Sequence, residues 1–153
     1  MFTEIDRIIS RNQGALFEYA AKQGYDMKKF VVQWMKSKVC ENYMDVSYSC
    51  LQFREPEEFM DYLEMDGEKF EIADLFHDGK IFDPAVAFWM GRAYRMLFIK
   101  SGIKSKELVD IIPLERMLQY YPGMHTIEEE NATEIMCEDA HIPKNKKSIY
   151  SQE

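Results

Sequence analysis

Residues 83–102, DPAVAFWMGRAYRMLFIKSG, carry the strongest helix signal in the chain. Asp83 is a favourable N-cap, Pro84 suits the first turn, and Gly102 is placed to end the helix. Apolar residues occur on every side of this segment rather than on one stripe, as in a helix that is buried all round. The segment therefore predicts a central helix with the other helices packed around it.

The N-terminal segment adds a helix with clear boundaries. Thr3 with Asp6 three residues later resembles a capping box, and apolar residues then recur at helical spacing. Gly24 is placed to end this helix in a left-handed conformation. We therefore expect a long first helix that buries one face.

Two further helices are expected before residue 65. Asp26 is the N-cap of a helix MKKFVVQWMKSKVC, and Pro56 takes the first position of another. Residues 42–54, between them, show no helical period and are interpreted as a connector.

The C-terminal half contains three shorter helices. Ser105 is expected to cap KELVDII, and Pro113 to break that helix and start LERMLQYY, which Pro122–Gly123 would end. Thr126 and Glu129 form an S/T-x-x-E capping box for the last helix. His125, just before the expected cap, then occupies the staple position and is interpreted as part of the joint between two helices.

These elements predict a compact all-α protein of six or seven helices. We expect one helical domain over 1–140 and a polar, basic, mobile tail over 141–153. Paired turn signals allow at most one short hairpin, around FHDGKIF. A loose similarity between 24–65 and 102–139 leaves an internal duplication open.

The charge of the chain is unevenly distributed. The net charge is −8, but residues 55–83 hold two Lys against eleven Asp and Glu, and residues 126–139 hold six acids and no Lys or Arg. This balance argues against a reader of duplex DNA, whose affinity depends on neutralising phosphates, and suits a basic protein partner. The plainer interpretation is that these acidic helices are solvated faces.

The cysteines and any targeting signals or catalytic motifs of the sequence bear on the compartment and the chemistry of the protein. The three cysteines, Cys40, Cys50 and Cys137, have no paired spacing, which favours buried free thiols in a reducing cytoplasm. Neither a signal peptide nor a membrane span is expected. Cys137 and His141 have ligand-like spacing but lack a second pair, and no phosphate-binding glycine loop or nucleophile motif occurs. We expect no enzyme, no metal and no cofactor.

Two binding functions fit the charge layout. The preferred one is a protein partner held by two acidic helices through Glu57, Glu58, Asp61, Glu64, Glu128, Glu129, Glu130 and Glu134. Adaptable apolar contacts beside them would come from Met60, Tyr62, Met65, Met124 and Met136. The alternative is a DNA-binding regulator that uses the basic, helix-turn-helix-like stretch 92–116. Its second helix is short and acidic, so these cations are expected rather to snorkel or to pair with the chain's own acidic helices.

WMGRAYRMLFIKSG, SKEL and YPGMHTIEEENATEIM together resemble a family of small helical proteins from Firmicutes and their phages. The matching residues are Gly91, Tyr94, Arg95, Ser105, Lys106, Glu107, Tyr121, Gly123, His125 and Thr126. Met124 departs from the family pattern, which has an aromatic residue there. Members are encoded beside ADP-ribosyltransferase-like toxins, so the resemblance implies an antitoxin or immunity-like partner that covers a toxin's cleft.

Overall fold

The computed structural model describes residues 1–65 and 82–144, and helix α4 (Pro84–Ser101) lies at its centre. α4 packs along α1 (Glu4–Lys22) over most of its length. Two glycines permit this close approach. A Cβ on Gly91 would lie 2.7 Å from the Gln13 carbonyl oxygen, and one on Gly14 would lie 2.7 Å from the Phe88 carbonyl oxygen. The predicted central helix is confirmed.

The remaining helices surround this pair. They are α2 (Met27–Met35), a π-helical turn (Cys40–Met44), a 3₁₀ helix (Cys50–Phe53), α3 (Pro56–Met65), α5 (Ser105–Ile111), α6 (Leu114–Met124) and α7 (Glu129–Asp139). α3 packs on α1, whereas α6 and α7 pack on α4. The part of the chain that the structure describes thus holds seven α-helices and no strand, which confirms the all-α prediction. Most of the hairpin expected around FHDGKIF, and the tail from residue 145, lie outside it.

Several predicted boundaries are confirmed in atomic detail. Thr3 and Asp6 form both hydrogen bonds of a capping box, and Asp26 and Asp83 each accept a backbone N–H at the start of their helices. Gly24 and Gly102 have φ of 80° and 76°, the left-handed conformation expected at a helix end. Local sequence therefore determined these ends.

Where α6 ends was predicted wrongly. α6 continues through Pro122–Gly123 to Met124, and the N–H of His125 donates to the Tyr121 carbonyl oxygen at 3.0 Å. A proline in the last turn removes only one backbone hydrogen bond, which the helix tolerates. Gly123 does not take the left-handed conformation that would end the helix. Among the described glycines, positive φ occurs at Gly24 and Gly102.

The predicted capping box of α7 is also wrong. The N-cap is Glu128, whose carboxylate accepts the N–H groups of Glu130 and Asn131 at 3.1 Å each. Thr126 lies outside the helix, and Glu129 forms an ion pair across to α4 instead of closing the box. His125 consequently does not hold the staple position, although it remains in the joint between α6 and α7.

Two further local expectations, the end of α2 and the connector over residues 42–54, are wrong. α2 ends at Met35, five residues before the prediction, since Ser37 Oγ bonds to Trp34 O at 2.7 Å and accepts the Cys40 N–H at 3.0 Å. The expected connector 42–54 contains part of the π-helical turn and the whole 3₁₀ helix. Both are too short to show a helical period in the sequence.

Candidate protein-binding surface

The acidic side chains of α7 are engaged within the protein. Glu130 accepts the Phe2 N–H at 2.9 Å and Lys100 Nζ at 3.0 Å. Glu129 lies 3.1 Å from Arg92 Nη1, and Glu134 lies 3.3 Å from Lys100 Nζ. Glu128 caps the helix that it begins. The four acids predicted on this helix therefore stabilise its own start and its packing on α4.

The electrostatics of Glu130 reflect this internal role. Partial burial acts to raise the pKa of its carboxyl, but the hydrogen bonds from Phe2 and Lys100 outweigh burial and hold the pKa at about 2. For Lys100, burial acts to lower the pKa, and the hydrogen bonds to Glu130 and Glu134 raise it above the usual range. Both groups are thus stabilised in their charged forms.

The acidic side chains of α3 have a different environment. Glu57, Asp61 and Glu64 are exposed, and no cation of residues 1–65 or 82–144 forms an ion pair with them. Glu58 lies 3.8 Å from Arg54 in an exposed pair four residues apart, which contributes little to stability. The structure thus separates the two predicted acidic helices into one that is internally neutralised and one that faces solvent.

Exposed apolar side chains lie beside the acids of α3. Tyr62 and Met65 are 38% and 82% exposed, and Tyr43 of the π-helical turn packs edge-to-face on Tyr62 with ring centroids 5.3 Å apart. A second aromatic pair, Tyr48 and Phe53, lies in the segment just before α3. We call this group the α3 surface: Tyr43, Glu57, Asp61, Tyr62, Glu64 and Met65.

The other methionines predicted as adaptable contacts do not lie on an exposed surface. Met60 and Met136 are buried in the core, which corrects that prediction. Met124 is half-buried and lines a hollow between α4 and α7 together with Trp89 and Met96. The volume of this hollow is about 10 Å³, far less than a ligand pocket needs.

The basic stretch 92–116 is largely neutralised from within. Five of its six Lys and Arg form ion pairs: Arg92 with Glu129, Arg95 with Asp45, Lys100 with Glu130, Lys106 with Glu41, and Arg116 with Asp139. Lys104 donates to the Asp45 carbonyl oxygen at 3.1 Å. The expectation that these cations pair with the chain's own acidic helices is confirmed for Arg92, Lys100 and Arg116, whose partners lie on α7.

Arg95 is fully buried at the centre of a polar network. Its guanidinium donates to Asp45 Oδ1 at 2.7 Å, to Gln13 Oε1 at 2.7 Å and to Ser105 Oγ at 3.2 Å. The backbone N–H of Ser105 donates to Asp45 Oδ2 at 2.7 Å, and its hydroxyl to Asp45 Oδ1 at 2.7 Å. The prediction that Ser105 is the N-cap of α5 is therefore wrong. It is a tertiary contact, because a buried carboxylate takes its N–H and hydroxyl.

Cys40 belongs to the same network. Arg95 Nη2 donates to its sulfur at 3.3 Å, and burial raises the pKa of the thiol to about 12. A protonated thiol without solvent access is a poor nucleophile. Cys137 is likewise buried, whereas Cys50 is exposed, so buried thiols were predicted correctly at two of three positions.

Sequence reasoning missed three members of this network: Gln13, Cys40 and Asp45. One signal was available, because Arg95 lies in a helix that is apolar on all sides, and a buried arginine requires a carboxylate and other acceptors. The identity of the acceptors could not be predicted, since Asp45 comes from a segment without periodicity. The network thus joins α1, the segment after α2, α4 and α5.

The residues behind the family resemblance divide between packing and surface. Gly91 permits the α1–α4 contact, and the buried Tyr94 hydroxyl donates to the Ile112 carbonyl oxygen at 2.6 Å. Tyr121 packs edge-to-face on Trp89. His125 stacks on Tyr121 with centroids 4.3 Å apart, and its Nδ1 lies 2.7 Å from the Tyr121 carbonyl oxygen.

The other residues of that pattern lie at the surface. They are Lys106, Glu107, Gly123 and Thr126, all exposed, as is the stacked His125. Lys106 pairs with Glu41 at 2.9 Å. The pattern as a whole therefore does not converge on one site. Of its buried members, Gly91 and Tyr94 join helices, whereas Arg95 and Ser105 belong to the polar network.

No family model, curated protein or solved structure matches this chain. Among its described helices, none is long and apolar enough to cross a membrane. In the same ranges, no three His, Cys, Asp or Glu side chains come together as a metal-binding group would.

Proposed function

We propose that this protein is a binding module that holds a basic surface of another protein against its α3 surface. The observation that carries the proposal is the contrast between two acidic helices of one molecule. The acids of α7 are engaged by Arg92, Lys100 and the backbone of its own first turn, whereas Glu57, Asp61 and Glu64 on α3 have no cation among the described residues.

Charge and apolar area favour the same kind of partner. Exposed carboxylates attract a basic surface and speed its association, while Tyr43, Tyr62 and Met65 offer contacts that become favourable once water is displaced. Aromatic residues and methionine are enriched at protein interfaces. A second copy of this chain is a poor partner for this surface, because the two acidic stripes would repel each other.

The resemblance noted in the sequence extends the proposal to an antitoxin-type role. In this role the α3 surface covers a basic cleft of a toxin-like protein encoded beside the gene for this chain. A cleft that binds a phosphorylated or nucleotide substrate is basic, so an acidic cover would compete for the same positive charge.

The test is co-expression with the protein encoded next to this gene, followed by affinity purification. We expect a complex with the wild type and its loss with the triple variant Glu57→Gln, Asp61→Asn, Glu64→Gln. The matched control is Glu107→Gln, Glu115→Gln, Glu138→Gln, which removes three exposed charges from α5, α6 and α7. Failure of the wild type to bind or to relieve toxicity contradicts the antitoxin role, and equal loss with both triples contradicts the role of α3.

A further inference from the structure

The face of α3 that points to solvent has two parallel stripes of different chemistry. Phe59, Met60 and Leu63 are buried and define the inner face. On the outer face, Glu57, Asp61 and Glu64 follow one another at intervals of four and three residues, which aligns them along the axis of the helix. They form a straight acidic stripe about 10 Å long.

The second stripe runs beside the first and is apolar beyond its first position, Glu58, which is paired with Arg54. Tyr62 and Met65 each follow a member of the acidic stripe by one position, which places them about 100° further round the helix. They are three residues apart and therefore lie on one side of α3. Tyr43 packs against Tyr62 and extends this apolar stripe onto the π-helical turn.

We propose that the α3 surface binds an amphipathic α-helix of the partner, laid along α3 with its Lys and Arg on the acidic stripe and its apolar residues on Tyr43, Tyr62 and Met65. This inference rests on the proposed function and specifies the partner's contact element. The basic residues of the partner helix repeat every three to four positions, in register with Glu57, Asp61 and Glu64.

The two stripes favour a helix over an extended strand. A strand that lies along α3 directs only every second side chain towards it, in a single row. A helix presents residues at i, i+3, i+4 and i+7, a face wide enough to cover a charged row and an apolar row together. An arginine of such a helix can also stack on the exposed Tyr62 ring while it pairs with Asp61.

The charge distribution determines the sign of the partner. Glu57, Asp61 and Glu64 have no cation to neutralise them in the described ranges, and the cations of 92–116 are already bonded internally. An acidic or neutral helix would leave these three carboxylates partly desolvated beside an apolar contact, which is unfavourable. The partner helix therefore carries positive charge on the row that faces them.

The experiment uses the full chain and two synthetic peptides of about 15 residues with one composition. In the first peptide, lysines recur at alternating intervals of four and three residues, with leucines on the adjacent row. In the second, the same residues are scrambled so that no amphipathic face forms. Binding is measured by fluorescence anisotropy, and helix formation by circular dichroism of the complex.

We expect the patterned peptide to bind the wild type about tenfold more tightly than the scrambled one and to become helical on binding. This preference should disappear in the α3 triple variant Glu57→Gln, Asp61→Asn, Glu64→Gln and persist in the matched triple Glu107→Gln, Glu115→Gln, Glu138→Gln. Tyr62→Ala should weaken binding at high salt as well as at low salt, since its contact is apolar.

Equal binding of both peptides, or of the patterned peptide to both triple variants, overturns the inference. The inference is also overturned if neither peptide binds. These results are independent of the co-purification test: a partner that co-purifies through α3 while both peptides fail would support the binding function and contradict only the helical contact.

Discussion

The two acidic helices of this protein look alike in sequence and differ in what they face. PEEFMDYLEM and EENATEIMCED are of similar length, and both carry two glutamates in the first turn. α7 packs on α4, which presents Arg92 and Lys100 to it. α3 packs on α1, whose cations are paired elsewhere, with Arg7 near Glu129 and Lys22 near Glu18. The neighbouring helix, rather than the number of acids, decides whether an acidic helix is available to a partner.

The largest expected effect concerns α4, which packs on α7 and on α1, the helix that carries α3. Arg95→Met should lower the free energy of unfolding by about 3–5 kcal/mol, because it leaves Asp45 buried without its cation. Arg54→Met removes an arginine from an exposed pair beside α3 and should cost less than about 1 kcal/mol. Urea denaturation followed by circular dichroism measures both. Similar losses for the two variants would contradict the assignment of Arg95 as the buried centre.

The next effect compares the two acidic helices directly. The α7 triple variant Glu129→Gln, Glu130→Gln, Glu134→Gln should lower the free energy of unfolding by roughly 2–4 kcal/mol, since it removes charge-assisted hydrogen bonds to half-buried cations. The α3 triple removes the same charge.

The free energy of unfolding of the α3 triple, Glu57→Gln, Asp61→Asn, Glu64→Gln, should differ from that of the wild type by no more than about 0.5 kcal/mol per site, because these side chains are exposed. Both triples are measured by chemical denaturation in one buffer. Equal destabilisation by the two would remove the distinction between the helices.

A smaller effect should appear as a pH dependence. The pKa of Glu130 lies at about 2 in the folded protein, below its ordinary value of 4.5. A lowered pKa stabilises the fold above the unfolded-state pKa, and this stabilisation is lost as pH falls through the folded-state pKa. Glu130→Gln should therefore be less stable than the wild type by about 1–2 kcal/mol near pH 6, with a difference that shrinks from about pH 5 towards pH 2. Thermal unfolding across this range tests it, and a difference independent of pH would argue against the assigned role of Glu130.

Much of the fold could be predicted from the sequence because its signals are local. Asp83, Pro84 and Gly102, together with apolar residues on all sides, predict the α4 helix. The capping box of Thr3 and Asp6 requires only residues three positions apart. Such features are settled within one or two helical turns, so no knowledge of the tertiary structure is needed.

The errors arise where a distant side chain overrides a local signal. Serine is a residue type favoured at N-caps, but the N–H and the hydroxyl of Ser105 both donate to Asp45, 60 residues away. Glu129 fits a capping box, but Arg92 attracts its carboxylate. The choice between α3 and α7 as the available acidic helix belongs to the same class, because it depends on which cations the neighbouring helix presents.

Hydrogen exchange of the complex with the protein encoded beside this gene tests the central claim most directly. We expect binding to slow amide exchange in residues 43–65, which include the whole α3 surface, and to leave α7 (Glu129–Asp139) unchanged. Slower exchange in α7 with no change in residues 43–65 would contradict the assignment of α3 as the binding helix.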